Sequence, residues 1–496
     1  MKASEIIKLL GKEPEFLTGE DFPVKGISID SRKVVPDSCF VAIEGVHADG
    51  HDFIEQVFLR GARIIIYNIS KQEKISLLKN NQQIVCVGVD NTRKVLGMLA
   101  AEFFGQPARK LKMIGITGTN GKTTTSFLIE NMLKNCGFKS GVIGTIYYKI
   151  EDKFIKAHNT TPDAITLNSL FLEMVQKKLT HAVMEVSSHA LDQQRIGGIG
   201  FNIALFTNLT HDHLDYHRDI EDYFSAKAKL FTELDKSGYA LINGDDEYGK
   251  RLKTMTRAKV IDYAIIDRQA AVRAENIQLT AQGTSFTVVT LPGSGYVKTK
   301  LIGKHNIYNI LGCICVGLCQ GIELQSICDT MSKAETVPGR LEQISSAEPF
   351  EVFIDYAHTD DALKNVLSAL REIKPKKIIT VFGCGGDRDK KKRPLMGKIA
   401  SRMSDFVIIT NDNPRTEEPE EIISHIKNGF DREFENYKVI PDRKQAIKEA
   451  VHKAEAGDFV LIAGKGHETY QIFKDKTIDF DDRKVVREIL DSVHRI

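Results

Sequence analysis

Residues 113–124, MIGITGTNGKTT, are an apolar run that ends in a glycine-rich turn and a lysine with two threonines. Phe127, Leu128, Ile129, Met132 and Leu133 follow at helical spacing. Strand, loop and helix in this order need a sheet face on which the helix can pack, so the stretch confines the chain to an α/β architecture. The loop's N–H groups and the helix N-terminus suit a polyphosphate, with Lys122 reaching its terminal phosphates and Thr123 holding Mg2+. The strict phosphate-loop pattern is not met: Ile116 stands where its first glycine is expected, and Gly115 comes one place early. Glycine-rich turns also serve structure alone, but Gly121-Lys122-Thr123 between strand and helix favours a nucleoside triphosphate site.

At 496 residues, 42% hydrophobic and 27% charged, the chain has material for about three domains. A net charge of +2 is too even to argue for nucleic acid. The eight cysteines form no C-x-x-C pair, and Cys313, Cys315 and Cys319 lie in an apolar helical stretch, so buried thiols in a reducing cytoplasm are expected. Residues 1–16 read as an amphipathic helix rather than a signal peptide, and no apolar run is long enough to span a membrane.

In residues 1–110, stretches 27–32, 39–43, 62–67 and 84–87 read as short strands, and 53–59 and 92–104 as helices. Asp30-Ser31-Arg32 reads as a ligand loop or a capped turn, and spacing favours the turn. Residues 141–146 then read as a strand, and the polar turn 158–163 caps a helix through Leu170. Residues 181–185 form a strand ending in Glu185, where a Mg2+ ligand is expected, and Ser187-Ser188-His189 continues it. After the strand 203–206, residues 208–217 hold His211, Asp212, His213, Asp215 and His217. That composition raises zinc, but a solvated loop with one or two functional histidines is the better reading without cysteines. A helix at 223–231 carries Lys227 and Lys229; strands at 239–243 and 284–289, an apolar helix at 306–319 and a boundary at 337–340 follow.

The last stretch repeats one theme: apolar strands at 353–354, 378–382, 406–409 and 459–462, each followed by a polar loop and a helix. The loops carry Asp355, Arg388, Asp412, Asn413, Pro414, Arg415, Gly464 and Glu468. Parallel sheets gather such loops at their carboxyl edge, so a binding edge is expected there.

Taken together the motifs resemble those of the Mur ligases, the ATP-dependent enzymes that build the peptide of the bacterial cell wall. They are 118–124 (GTNGKTT), 159–162 (NTTP), 184–189 (MEVSSH), 208–213, 303–306 (GKHN) with Asn309, 338–340 (PGR), 355–358 (DYAH), 383–388, 412–415 (DNPR) and 464–468 (GKGHE). The resemblance covers nearly the whole chain and also has the unusual glycine placement. It implies a mixed α/β UDP-binding domain at 1–110, a central phosphate-loop-type parallel-sheet ATPase domain at 111–337 and a Rossmann-like amino-acid domain at 338–496. It matches Ser31 to a UDP-binding position. Asn159, Thr160, Thr161, Ser187, Gln193 and Arg195 match positions for the UDP-N-acetylmuramoyl dipeptide. Gly118, Thr119, Asn120, Gly121, Lys122, Thr123, Thr124, Asn309, Arg340 and Asp355 match the ATP site. Arg388, Asp412, Asn413, Pro414, Arg415, Gly464 and Glu468 match a meso-diaminopimelate pocket. Thr123, Glu185, His213 and a carbamylated Lys227 match the Mg2+ site. Two departures are Asp360, where the family usually has proline and a looser turn is expected, and Lys391, where it often has glycine.

The implied chemistry is transfer of the ATP γ-phosphoryl group to the D-glutamyl carboxylate, then attack by the amine of diaminopimelate, in peptidoglycan synthesis. Lys122, Lys227 and His213 are its catalytic residues. A cytoplasmic monomer with no nucleic-acid or membrane partner is expected. The alternatives are the same ligase using L-lysine, a folylpolyglutamate synthase, and a switch NTPase with no carboxylate-accepting site. For Arg415 the plain alternative is a surface pair with Glu417 or Glu418.

Overall fold

The computed structural model describes residues 1–11, 21–45, 48–78, 84–213 and 216–493. Part of the expected first helix, at 12–16, and Asp215 of the histidine-rich loop lie outside them. Among the described residues three large sheets carry the fold, each drawn from one contiguous stretch of chain, and a two-stranded hairpin is added to the last stretch.

The first is a parallel four-stranded sheet whose strands, Ile27–Ser28, Ser38–Val41, Ala62–Asn68 and Val85–Val89, lie in sequence order. The expected strand at 27–32 stops after two residues. Asp30 accepts from the N–H of Arg32 at 3.0 Å and caps a single 3-10 turn, Ser31–Lys33, so the capped-turn reading holds.

The second sheet has eleven strands and is parallel through its middle. The glycine-loop strand Lys112–Thr117 lies between Ile203–Phe206 and His181–Glu185. Three strand ends therefore meet at one point, which is where parallel sheets bind ligands. Antiparallel strands are added at both sides, Tyr147–Ile150 and Lys153–Lys156 at one and Gly283–Thr290 and Gly293–Thr299 at the other; of these only the strand at 284–289 was expected. The helix Lys122–Asn135 packs Leu128, Ile129, Met132 and Leu133 into a core shared with Ile310 and Ile314 of the helix Lys304–Cys319. Fully burying each such side chain stabilises by about 1.5–3 kcal/mol, so the loop is anchored by its helix.

Two expectations fail nearby. The strand expected at 141–146 ends at Ile143, because Thr145 turns its N–H to the Glu185 carboxylate at 3.0 Å instead of to a ladder. The strand ending in Glu185 does not continue: Ser187 caps the helix Ser188–Asp192 by accepting from the N–H of Ala190 at 3.2 Å.

The third sheet has six strands, with Phe459–Ala463 inserted between Glu351–Asp355 and Ile378–Phe382. Phe406–Ile409 follows, and an antiparallel edge, Glu342–Ile344, and a further strand, Tyr437–Val439, close the two sides. Three of the four expected strand–loop–helix units form as read. The fourth differs: after 464–468 the chain makes the hairpin Tyr470–Ile472/Thr477–Asp479 before its helix Asp482–Val493. At the first departure, Thr359 caps the helix Asp360–Glu372 by accepting from the N–H of Ala362, and Asp360 sits in the first turn, where a carboxylate favours the helix dipole. The cap, rather than a proline, holds that turn.

Candidate active site

The glycine loop is bound tightly from below. Gly118 (φ 148°) and Gly121 (φ 88°) adopt backbone angles that side chains rarely take, and a Cβ would collide with Thr207 Oγ1 at the first and Asn309 Oδ1 at the second. The N–H groups of Thr119 and Asn120 donate to Asn208 O at 2.8 Å and Asn208 Oδ1 at 2.9 Å. Lys122 folds back and donates to the carbonyls of Gly118 and Thr119, both at 2.8 Å, and burial lowers the pKa of its ammonium.

Glu185, fully buried, is the hub beside the loop. Its Oε2 accepts from Thr123 Oγ1 at 3.0 Å and Thr145 Oγ1 at 2.9 Å. A hydroxyl and a carboxylate beside the glycine loop are the hard oxygen donors that Mg2+ takes, so the donor set fits that ion. Arg340 approaches Thr123 Oγ1 at 3.4 Å, and its buried Nε has no hydrogen-bond partner among the described residues. Lys227 is buried, donates to Gly118 O at 2.9 Å and lies 4.4 Å from the centroid of the Tyr223 ring. Desolvation, aided by repulsion from Lys122, pushes its pKa well below that of an ordinary lysine. His213, in the left-handed region at φ 54°, is pulled down to about 4 chiefly by burial, so its ring is neutral at physiological pH. Among the described residues no group of three His, Cys, Asp or Glu side chains is arranged to hold a metal ion.

These groups open onto a cleft of about 380 Å³. Of the positions expected at an ATP site, Thr119, Asn120, Gly121, Lys122, Thr123, Thr124 and Arg340 line it. Gly118, Asn309 and Asp355 do not: Asn309 sits behind Gly121, bonded to Thr125 and Asn306, and the Asp355 carboxylate is taken by the N–H groups of Leu341 at 2.6 Å and Ala357 at 2.7 Å. Asn159, Thr160, Thr161, Ser187, Arg195, Glu185, His213 and Lys227 all line the cleft. Gln193 stands behind, accepting from Arg195 at 2.7 Å. Sequence reading missed Thr145, Tyr356 and Asp361. Thr145 was hidden in an expected strand. Asp361 ties the loops together, its Oδ2 accepting from Asn120 Nδ2 at 2.9 Å and Thr210 Oγ1 at 2.6 Å.

Ser31 lies in the 3-10 turn that follows the first strand of the first sheet, outside the cleft. The remaining positions gather at the carboxyl edge of the third sheet. Asn413 Nδ2 donates to Glu468 Oε2 at 3.0 Å, and a Cβ on Gly464 would lie 2.8 Å from Asp412 Oδ2. Pro414 backs the neighbouring loop, since a Cβ on Gly386 would strike its carbonyl. Arg415 Nη1 donates to Gly386 O at 2.7 Å, and Arg388 is exposed. The surface-pair alternative for Arg415 fails: Glu417 is engaged by the buried Arg393 at 2.8 Å and Lys390 at 3.3 Å, and Glu418 lies 3.8 Å from Lys474.

Family models match along the chain: Mur ligase family, catalytic domain, at 23–104; Mur ligase middle domain at 116–317; and Mur ligase, glutamate ligase domain, at 339–466. The UDP-N-acetylmuramoyl-L-alanyl-D-glutamate–2,6-diaminopimelate ligase 1 of Clostridium acetobutylicum is 43% identical over 479 residues, covering 96% of this chain and 97% of the relative. A solved structure of a UDP-N-acetylmuramoyl-L-alanyl-D-glutamate–2,6-diaminopimelate ligase superposes with a TM-score of 0.71 at 33% identity, covering 99% of each chain. The MurF ligase of Thermotoga maritima in complex with ADP has a TM-score of 0.63 at 18% identity, covering 95% of this chain and 99% of its own, and shares the fold. With the three family models matched in this order and a relative 43% identical over almost the full length, the chain belongs to the Mur ligase family.

Proposed function

We propose that this protein is an ADP-forming ligase that adds meso-diaminopimelate to UDP-N-acetylmuramoyl-L-alanyl-D-glutamate through an acyl phosphate, in peptidoglycan synthesis. The observation that carries this is the shared cleft. The glycine loop, Glu185 and Arg340 line it together with Thr160, Thr161, Ser187 and Arg195, so a phosphate donor and a carboxylate acceptor have one space. A switch NTPase has no need of the second set.

In this reading residues 1–110 hold the UDP group with Ser31, 111–337 hold ATP and the dipeptide, and 338–496 hold the amino acid. A D-glutamyl carboxylate oxygen attacks the γ-phosphorus of ATP as the bond to ADP breaks. The diaminopimelate amine, having lost a proton, then attacks the acyl carbon, and inorganic phosphate leaves. Two anions must meet in the first step, so Lys122, Arg340 and the loop N–H groups act by neutralising and aligning them. Thr123, Glu185, His213 and a carbamylated Lys227 would hold Mg2+, which supplies positive charge against the phosphate oxygens. Burial lowers the pKa of the Lys227 amine, which favours the uncharged form that reacts with carbon dioxide. Asn413, Arg415 and Glu468 read the far end of diaminopimelate, with Arg415 offering a planar fork to its carboxylate.

The test is phosphate release with each substrate left out in turn. Turnover should require ATP, the UDP-muramoyl dipeptide and diaminopimelate together; fast hydrolysis of ATP alone would sink the ligase reading. Arg415→Ala should lose diaminopimelate use by several orders of magnitude, about 10⁴ at the extreme for an unpaired polar site. Equal use of lysine by the parent would leave only the ligase class standing.

A further inference from the structure

We propose that Lys465 determines specificity: its ammonium cancels the charge of Glu468, so the pocket accepts a side chain ending in both an ammonium and a carboxylate and refuses one ending in an ammonium alone. This rests on the reading of 412–415 and 464–468 as the amino-acid pocket.

The Lys465 side chain is completely buried. Its Nζ lies 3.0 Å from Glu468 Oε2 and 3.2 Å from Asn413 Oδ1. Burying a lysine to form one ion pair seldom returns its desolvation cost, so stability alone is a poor reason for it. The loop is shaped to turn it inward, with Gly464 at φ 114° and Gly466 at φ 52° on either side.

The effect falls on Glu468. Its Oε2 takes both Lys465 and Asn413 Nδ2 at 3.0 Å, whereas among the described residues Oε1 has only the Tyr356 hydroxyl at 3.5 Å. One oxygen is saturated and the charge is compensated, leaving Oε1 as a hydrogen-bond acceptor rather than a free anion. Around Tyr470, whose ring centroid is 5.5 Å from Lys465 Nζ, the charges of Glu468, Arg415, Asp412 and Arg388 are all felt. With Lys465 counted, and Lys156, whose Nζ lies 5.9 Å from the same centroid, this cluster carries two positive charges in excess. The Arg443–Asp482 pair nearby, 2.7 Å apart and fully buried, compensates itself. Excess positive charge welcomes the far end of diaminopimelate, whose carboxylate meets it, and repels the bare ammonium of lysine.

The experiment compares kcat/KM for meso-diaminopimelate and L-lysine in the parent, Lys465→Met and Lys465→Met/Glu468→Gln. The single variant should shift the ratio toward lysine by roughly tenfold or more, with lysine use rising in absolute terms. The double variant restores the parent's charge balance and should restore the preference, at lower overall activity. Lys465→Gln keeps a hydrogen-bonding side chain and removes the charge, and is read in the same way where the methionine variant fails to fold. An unchanged ratio, or equal loss with both amino acids, overturns the proposal and makes Lys465 structural. If Arg415→Ala leaves diaminopimelate use untouched, the pocket reading falls and takes this proposal with it. If Arg415→Ala behaves as expected while the Lys465 variants keep the ratio, only the role of Lys465 falls.

Discussion

Lys122 and Lys227 both donate to the carbonyl of Gly118, at 2.8 and 2.9 Å, although they come from different helices. Two lysines on one acceptor disfavour each other's charged form, and burial lowers the pKa of both, Lys227 further. The two should therefore differ in substitution. Lys122→Ala should abolish ligation and move the thermal midpoint little, because the lysine contributes little apolar burial; ligation near the parental rate would remove it from phosphoryl transfer. Lys227→Ala should be inactive and regain part of its activity with small carboxylates that fill the gap. An intact-mass spectrum of the parent, taken without acid, should show the added carbamate. An unmodified Lys227 in active enzyme would end that assignment.

Among the elements, the loop after Ile378–Phe382 and the loop after Phe406–Ile409 are joined by the buried Arg393. It donates twice to Glu417, at 2.8 and 2.9 Å, and to Gly385 O at 3.2 Å. Glu417 also accepts from the N–H of Asp387, and these bonds, Arg393 first, hold its carboxyl at about 2, below the usual 4.5. The unfolded chain binds the proton more readily, so the clamp stabilises fully above about 4.5 and loses its effect as pH falls through about 2. Glu417→Gln should lower the thermal midpoint at neutral pH and flatten its fall across that acid window. A parallel acid limb in parent and variant would show that the clamp contributes nothing. The helix Lys122–Asn135 was legible because its apolar residues recur at 3.6-residue spacing. The hairpin Tyr470–Ile472/Thr477–Asp479 was not: its strands are three residues each, too short for alternation to stand out from a loop.

At the scale of the whole molecule, Asp361 joins the second and third sheets' stretches through Asn120 and Thr210. Asp361→Ala should weaken that junction and raise the KM for ATP more than it lowers the thermal midpoint of either part. Small-angle scattering should report a larger radius for the variant, and unchanged scattering with unchanged KM would leave Asp361 without this role. The sequence by itself determined the glycine loop, Glu185 at its strand end, the cap at Asp30 and the polar loops 383–388, 412–415 and 464–468, because each is written in neighbouring residues: apolar periodicity, turn chemistry and caps act over a few positions. Only the tertiary structure decided that Phe459–Ala463 lies between two earlier strands, that Asp355 spends its carboxylate on backbone N–H groups, that Thr145 leaves its strand for Glu185, and that Lys465 is buried against Glu468. Those outcomes depend on which strands pair and which side chains lose their water, and both are set by contacts between residues far apart in the chain.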